Sequence, residues 1–292
     1  MYFLRLIRFK NLILLLFLLI IIRQFYGYES SLTEDGSLNF NTFSFLLFIL
    51  SILLIASAGN IINDILDVKT DQINKPNAVI IDKHISKTNA FRIYLLFNLL
   101  SMVIAGYLSY KTGTYLLTVI YLATIFLLYT YSSKFKGIPL LGNFIIAAIT
   151  PLPILILVYM DLPDSKTKHL SISIVFIIYF LGFLLNLIRE LIKDIQDYKG
   201  DKTTNIKTFT VAYEKKTSLK LIRFITVFFI IVLQIIVFFL YPKKPILSSY
   251  LEILVLIPLL YITLKITVTN SKKMSVLLKI IMFLGMLSIL LI

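Results

Sequence analysis

The sequence predicts an all-α, polytopic membrane protein. It should have about nine transmembrane helices in a bundle around a central cavity, forming a single domain over residues 1–292. Three observations predict this. Hydrophobic residues fill 59% of the 292 positions and charged residues only 15%, with a mean hydropathy of +0.92. A soluble domain averages about 45–50% apolar and about 25% charged. Apolar stretches of about 20 residues, enough to cross a bilayer, recur along the whole chain. The cations between them fall mostly on alternate connections. Cysteine is absent, which excludes disulfides, thiolate metal sites and cysteine nucleophiles.

The first span is expected at 10–28. "MYFLRLIRFKN" followed by "LILLLFLLIII" has the charge and apolar run of a secretory leader. No small-residue cleavage site comes after it, and many spans do, so it reads as a retained helix. The others are expected at 42–65, 91–109, 114–131, 140–160, 170–192, 219–240, 248–267 and 275–292. Backbone groups in lipid must be bonded within their own segment, so these spans are helices. "YKTG" at 110–113 and "KFKGIP" at 134–139 are short enough to make antiparallel hairpins. Pro151, Pro153 and Pro258 are expected to kink their helices.

Numbering the connections alternately puts 23 of the 29 Lys and Arg on the side of the N-terminus, and the acids divide 9 to 6. The whole net charge of +14 therefore falls on one side. Positive residues mark the cytoplasmic face, so the N-terminus and these loops should be cytoplasmic and the C-terminus outside. Such a face favours anionic membrane lipids and anionic substrates. Nucleic acid is a poor partner, because most cations sit at membrane ends beside acids.

Two acidic clusters lie on that side. "GNIINDILDVKTDQINKP" at 59–76 comes directly after the uncharged "FSFLLFILSILLIASA". "RELIKDIQDYKGD" at 189–201 ends the sixth span. Asn63, Asp67 and Asp71 are spaced i, i+4, i+8, and Asp194, Asp197 and Asp201 are spaced i, i+3, i+7. In a continuous helix each set shares one face. Like charges at these spacings repel, so something must neutralise them. Mg²⁺ suits oxygen donors, and it takes one or two carboxylates together with water and substrate phosphates. Two such helix ends could hold Mg²⁺ and a diphosphate, with Lys75, Lys134, Arg189 and Lys193 completing the charge balance. A cavity within the bundle would hold a long apolar chain. Acids at a membrane edge read as functional, and simple caps paired to lysines are the alternative.

These motifs resemble those of the UbiA-type intramembrane prenyltransferase superfamily, N-D-x-x-D-x-x-x-D and D-x-x-D-x-x-x-D. Here they read "NDILDVKTD" at 63–71 and "DIQDYKGD" at 194–201. "RFKN" at 8–11 resembles an R-P-x-N start, and "YSSKFKGIPLLGN" at 131–143 resembles a Y-S…K…G-N segment. The resemblance implies nine helices and transfer of a polyprenyl group from a prenyl diphosphate to an acceptor, with Mg²⁺ as cofactor. It implies that Asn63, Asp64, Asp67, Asp71, Asp194, Asp197 and Asp201 are catalytic, with Mg²⁺ bound through the diphosphate by Asn63, Asp67, Asp71, Asp194, Asp197 and Asp201. Arg8, Asn11, Lys75, Tyr131, Lys134, Arg189 and Lys193 become substrate-binding candidates. Aromatic faces would favour the cationic prenyl carbon.

The residues just after the first motif bear on the acceptor. "QINKPNAVI" resembles the branch that transfers a geranylgeranyl group to geranylgeranylglyceryl phosphate, and so does "REL.KDI.D.KGD". Ala78 and Val79 depart from that branch's Arg-Pro, and Lys75, Lys83 or Lys87 could replace the missing cation. An aromatic acceptor, such as a quinone precursor, is the second reading. An ion or proton transporter is a remote third, because transporter acids lie near the bilayer midplane. Among the polar singles, His84 and His169 read as loop residues, Asn60 as an interhelical hydrogen bond, and Asn186 and Glu190 as flanks of the second motif.

Overall fold

The structure is a computed structural model that describes residues 1–31, 38–162 and 166–291. The helices, in chain order, are α1 (Tyr2–Leu6), α2 (Phe9–Ser31), α3 (Thr42–Leu66), α4 (Val68–Asn74), α5 (Lys87–Thr112), α6 (Leu116–Ser133), α7 (Leu141–Ile149), α8 (Leu152–Asp161), α9 (Lys166–Thr203), α10 (Phe209–Leu240), α11 (Pro245–Leu251), α12 (Ile257–Lys265) and α13 (Ser271–Leu287). Among the described residues, 9 helical segments are long and apolar enough to cross a membrane. They overlap all of the expected spans. The chain forms two compact units: residues 1–135 with 152–176, and residues 136–151 with 177–292.

In the first unit, α3 packs against α5 and α6. Asn41 starts α3 by accepting a hydrogen bond from the Ser44 amide at 2.9 Å. The side chains of Leu46, Leu50, Leu99 and Val103 stay exposed, as expected of a surface solvated by lipid. A side chain at Gly59 would place its Cβ 3.0 Å from Leu128, so the glycine lets α6 approach α3. The α5–α6 hairpin forms as expected. Gly113 supplies the left-handed turn at φ 70°, and the Ser109 and Thr118 hydroxyls bond at 2.9 Å across it.

The span expected at 10–28 forms as α2, and a short helix, α1, precedes it. α1 and α2 are separated at Arg8, which takes φ 55°. Neither Gly nor Pro marks this break, so hydropathy could not place it. Behind it, Leu6 and Ile7 join Ala58, Ile61, Ile62 and Ile65 of α3 in a buried cluster with Ile80 and Ile81. The loop after the first motif is thereby held against α1 and α3. His84 lies in a turn, as expected, and stacks on Tyr2 with ring centroids 3.6 Å apart. His169 instead falls in the helical backbone of α9, and its side chain lies outside the described residues.

A buried ionic knot ties three segments of this unit. Asp161, at 0% exposure, accepts from Arg23 at 2.9 Å, from the Tyr26 hydroxyl at 2.6 Å and from the Phe40 amide at 2.7 Å. Arg23 also donates to the Phe40 carbonyl and lies over the Phe45 ring at 4.0 Å. Asp161→Ala should cost about 3–5 kcal/mol, because it leaves a largely buried guanidinium without its carboxylate. Thermal unfolding in detergent checks this, and an unchanged Tm would show that the knot holds nothing.

In the second unit, Leu184, Leu187, Ile188, Leu191 and Ile192 of α9 share a core with Ile222, Phe229 and Leu233 of α10 and with Leu259, Ile262, Leu278 and Ile281. Pro151 comes just after the end of α7 and separates it from α8, as expected. Pro153 makes no kink of its own, since it lies in the first turn of α8, where its missing N–H is not needed. At Pro258 the chain takes a π-helical turn over Glu252–Leu256 before α12, a common way to absorb a lost helical bond.

The connection expected between the spans at 170–192 and 219–240 is mostly helix. α9 runs 38 residues, about 57 Å at 1.5 Å per residue, against a hydrocarbon core of about 30 Å. A hydropathy window ends where the apolar residues end, but the helix does not. Its polar end carries the second motif.

Candidate functional site

The first motif is not on one continuous helix face. α3 ends at Leu66, Asp67 has non-helical dihedrals (φ −89°, ψ 2°), and α4 begins at Val68. Asn63 and Asp64 therefore sit on α3, Asp67 at the break and Asp71 on α4. The backbone bonds survive the bend: the Asp67 amide donates to the Asn63 carbonyl at 2.9 Å and the Asp71 amide to the Asp67 carbonyl at 2.8 Å. Asn63 Nδ2 donates to Asp67 Oδ2 at 2.9 Å, which leaves the Asn63 Oδ1 as its donor toward a cation. Asp67 is buried at 6% exposure, and Asp71 is half-buried.

The break at Arg8 has its use here. Arg8 Nη2 reaches Asp64 Oδ1 at 3.0 Å, joining the "RFKN" start to the first motif. Asn60 donates to the Ile7 carbonyl at 3.1 Å, the expected interhelical bond. Together they fix the N-terminal arm against the motif's helix. Lys75 caps α4, and its amide donates to the Asp71 carbonyl at 2.8 Å. Tyr131 lies half-buried near the end of α6. Asn11 and Lys134 are exposed, and among the described residues neither side chain is bonded to a motif aspartate.

The second motif lies on α9 without a break. Asp194 accepts from Asn143 Nδ2 of α7 at 3.0 Å. Asp201 is buried at 1% exposure. Gln196, within the motif, donates to the Ser271 carbonyl at the start of α13 at 3.2 Å. Glu190 draws Lys193 at 2.8 Å and Arg189 at 3.5 Å, so both expected substrate cations lean toward an acid one turn before the motif. Asn186 bonds back to the Gly182 carbonyl at 2.8 Å.

Asn143 was not singled out as a site residue, although it ends the "YSSKFKGIPLLGN" segment that resembles the family's. Its signal was available: it is a lone amide opening "NFIIAAI", and a polar group among apolar residues needs a partner. The Asp161 knot was missed because Asp161 lies more than a hundred residues from its partners.

The donor chemistry is all oxygen. Among the described residues, no three His, Asp or Glu side chains converge enough to hold a metal ion by themselves. A hard cation here must take further oxygens from water and from a phosphate. That requirement fits Mg²⁺, which binds through one or two carboxylates and shares its shell in this way.

Residues 30–287 match the UbiA prenyltransferase family, a stretch that runs through both units. The chain belongs to this family. Curated UbiA relatives similar to it include the digeranylgeranylglyceryl phosphate synthase of Methanobrevibacter smithii, 32% identical over 59% of this chain and 59% of that one. The chain thus spans under two thirds of that relative's length. The synthase of the same description from Saccharolobus solfataricus is 32% identical over 82% of this chain and 80% of its own. A solved structure of digeranylgeranylglyceryl phosphate synthase has a TM-score of 0.66 at 25% identity, covering 99% of this chain and 96% of that one. A UbiA homologue from Archaeoglobus fulgidus, bound to DMAPP and Mg²⁺, has a TM-score of 0.61 at 18% identity over 100% of both chains, and shares the fold.

Proposed function

We propose that the protein transfers a polyprenyl group from a prenyl diphosphate to geranylgeranylglyceryl phosphate, forming an ether bond, with Mg²⁺ as cofactor. One observation carries this reading: both aspartate motifs are complete, with oxygen-only donors at helix ends, in a member of the UbiA family. Relatives described as digeranylgeranylglyceryl phosphate synthases support the acceptor.

In this reading Asn63, Asp67, Asp71, Asp194, Asp197 and Asp201 bind the diphosphate through Mg²⁺. The ion supplies Lewis acidity and a template. Arg8 orients Asp64, and Asn143 orients Asp194. The bond from the allylic carbon to the diphosphate oxygen breaks, and its electron pair leaves with the diphosphate. The acceptor hydroxyl oxygen bonds to that carbon and its proton passes to solvent. Lys75, Tyr131 and Lys134 contribute to binding the anionic groups. The whole chain acts as one domain, and its apolar spans hold the prenyl chain. The motif-bearing loops and the N-terminus are cytoplasmic, the C-terminus is outside, and anionic membrane lipids neighbour the basic face.

Purified protein with geranylgeranyl diphosphate and Mg²⁺ should prenylate geranylgeranylglyceryl phosphate, and should leave 4-hydroxybenzoate and naphthoate unchanged. Product analysis by mass spectrometry checks this. Preference for either aromatic acid would overturn the acceptor assignment.

A further inference from the structure

The ether-lipid branch expects a cation where this chain has Ala78. The structure leaves Ala78 exposed and buries Val79 in the apolar side of its loop. Lys83 is turned to the Pro76 carbonyl at 2.7 Å. Further positive charge for an acceptor phosphate stands on α9 and α10.

Inside the second motif, between Asp197 and Asp201, stands Tyr198. Lys202 Nζ lies 3.4 Å from its hydroxyl and 5.6 Å from its ring centroid. Lys215 Nζ lies over the same ring at 4.4 Å. Among the described residues, neither lysine is paired with a carboxylate. Two ammonium groups converge on one aromatic ring.

The backbone enforces this convergence. α10 is interrupted at Tyr213 and Glu214, and Glu214 adopts φ 67°, ψ 156°. That region is essentially restricted to glycine and costs of order 1–3 kcal/mol for other residues. The strained residue immediately precedes Lys215. Buried groups hold the bend: the Thr210 and Ser218 hydroxyls bond at 2.9 Å, and Ser218 donates to the Glu214 carbonyl at 3.2 Å. Thr210 and Ser218 are both 0% exposed. Beyond the bend a helix of more than twenty residues starts at Lys215, and its N-terminal end adds partial positive charge. Strain of this kind, held by buried bonds and placed beside two cations, marks a binding position.

We infer that Lys202, Lys215 and Tyr198 form the subsite for the phosphomonoester of the acceptor, an inference that rests on the proposed function. At about 100° per residue, Tyr198 and Lys202 lie about 40° and 80° around α9 from Asp194. The subsite therefore flanks the acidic face and does not coincide with it. The acceptor phosphate binds beside the diphosphate position, on the same helix. An anionic phospholipid headgroup offers the same chemistry.

The test compares the full chain with K202Q/K215Q and K202R/K215R in phosphatidylcholine nanodiscs. The Gln pair should raise KM for geranylgeranylglyceryl phosphate by about tenfold or more, the equivalent of one strong charged contact. It should leave KM for geranylgeranyl diphosphate within about twofold. The Arg pair should restore the acceptor KM, since it keeps both charges. Thermal protection by the acceptor, measured without prenyl diphosphate, should weaken in the Gln pair alone. An unchanged acceptor KM, or an equal rise in both KM values, would overturn the assignment. So would a Gln pair that loses only its response to added phosphatidylglycerol, which would mark a lipid headgroup site. Failure of the proposed function reads differently: the unsubstituted enzyme would then make no ether product.

Discussion

Asp67→Ala and Asp197→Ala are each expected to lose turnover by on the order of a hundredfold or more while remaining folded and inserted. Groups that merely orient a metal ligand typically account for about 10–100-fold, and these two are proposed to be ligands themselves. The fold should tolerate the change for reasons visible at Asp67. Its backbone bonds to Asn63 and Asp71 do not involve its side chain. Alanine is the better helix former, and the repulsion with Asp71 one turn away disappears. What is lost includes the 2.9 Å amide contact from Asn63. Asp161→Ala should behave in the opposite way, with a large loss of stability, because that carboxylate neutralises Arg23. Turnover and thermal unfolding on the same preparations separate the two cases. Near-normal turnover in either Asp67→Ala or Asp197→Ala would remove the two-motif site from consideration.

Excess EDTA is expected to abolish activity, and added Mg²⁺ to restore it. The argument is one of charge. Of the first motif's carboxylates, Asp64 has Arg8 at 3.0 Å. In the second, Asp194 is met by the neutral amide of Asn143, while Lys193 and Arg189 lean toward Glu190. A diphosphate brought to these aspartates is repelled unless a cation stands between them, since unit charges at about 4 Å interact by several kcal/mol near a protein surface. The same chelation should leave the Tm of the substrate-free protein nearly unchanged, because no three acids converge to hold an ion alone among the described residues. Activity that persists in EDTA would refute the metal-bridged reading.

The sequence by itself determined the class, the spans and the motifs. Lipid leaves a span no choice but to bond its backbone within itself, so hydropathy located every apolar span, but not the polar end of α9 or the early start of α10. Gly113 and the short "YKTG" link dictated a hairpin. The aspartate spacing survived as sequence because it needs no distant partner to be read. The tertiary structure decided what depends on distant partners or on backbone breaks without a marker residue. Asp67 interrupts the first motif with neither Gly nor Pro beside it, and Arg8, at φ 55°, meets Asp64, 56 residues away. Asn143 finds Asp194 across 51 residues, and Asp161 gathers Arg23, Tyr26 and Phe40 from more than a hundred. Lys215 reaches Tyr198 directly after Glu214, which takes a conformation that its own type disfavours. Local pattern encodes burial and period, whereas pairing between charges far apart in the chain exists only once the helices are packed.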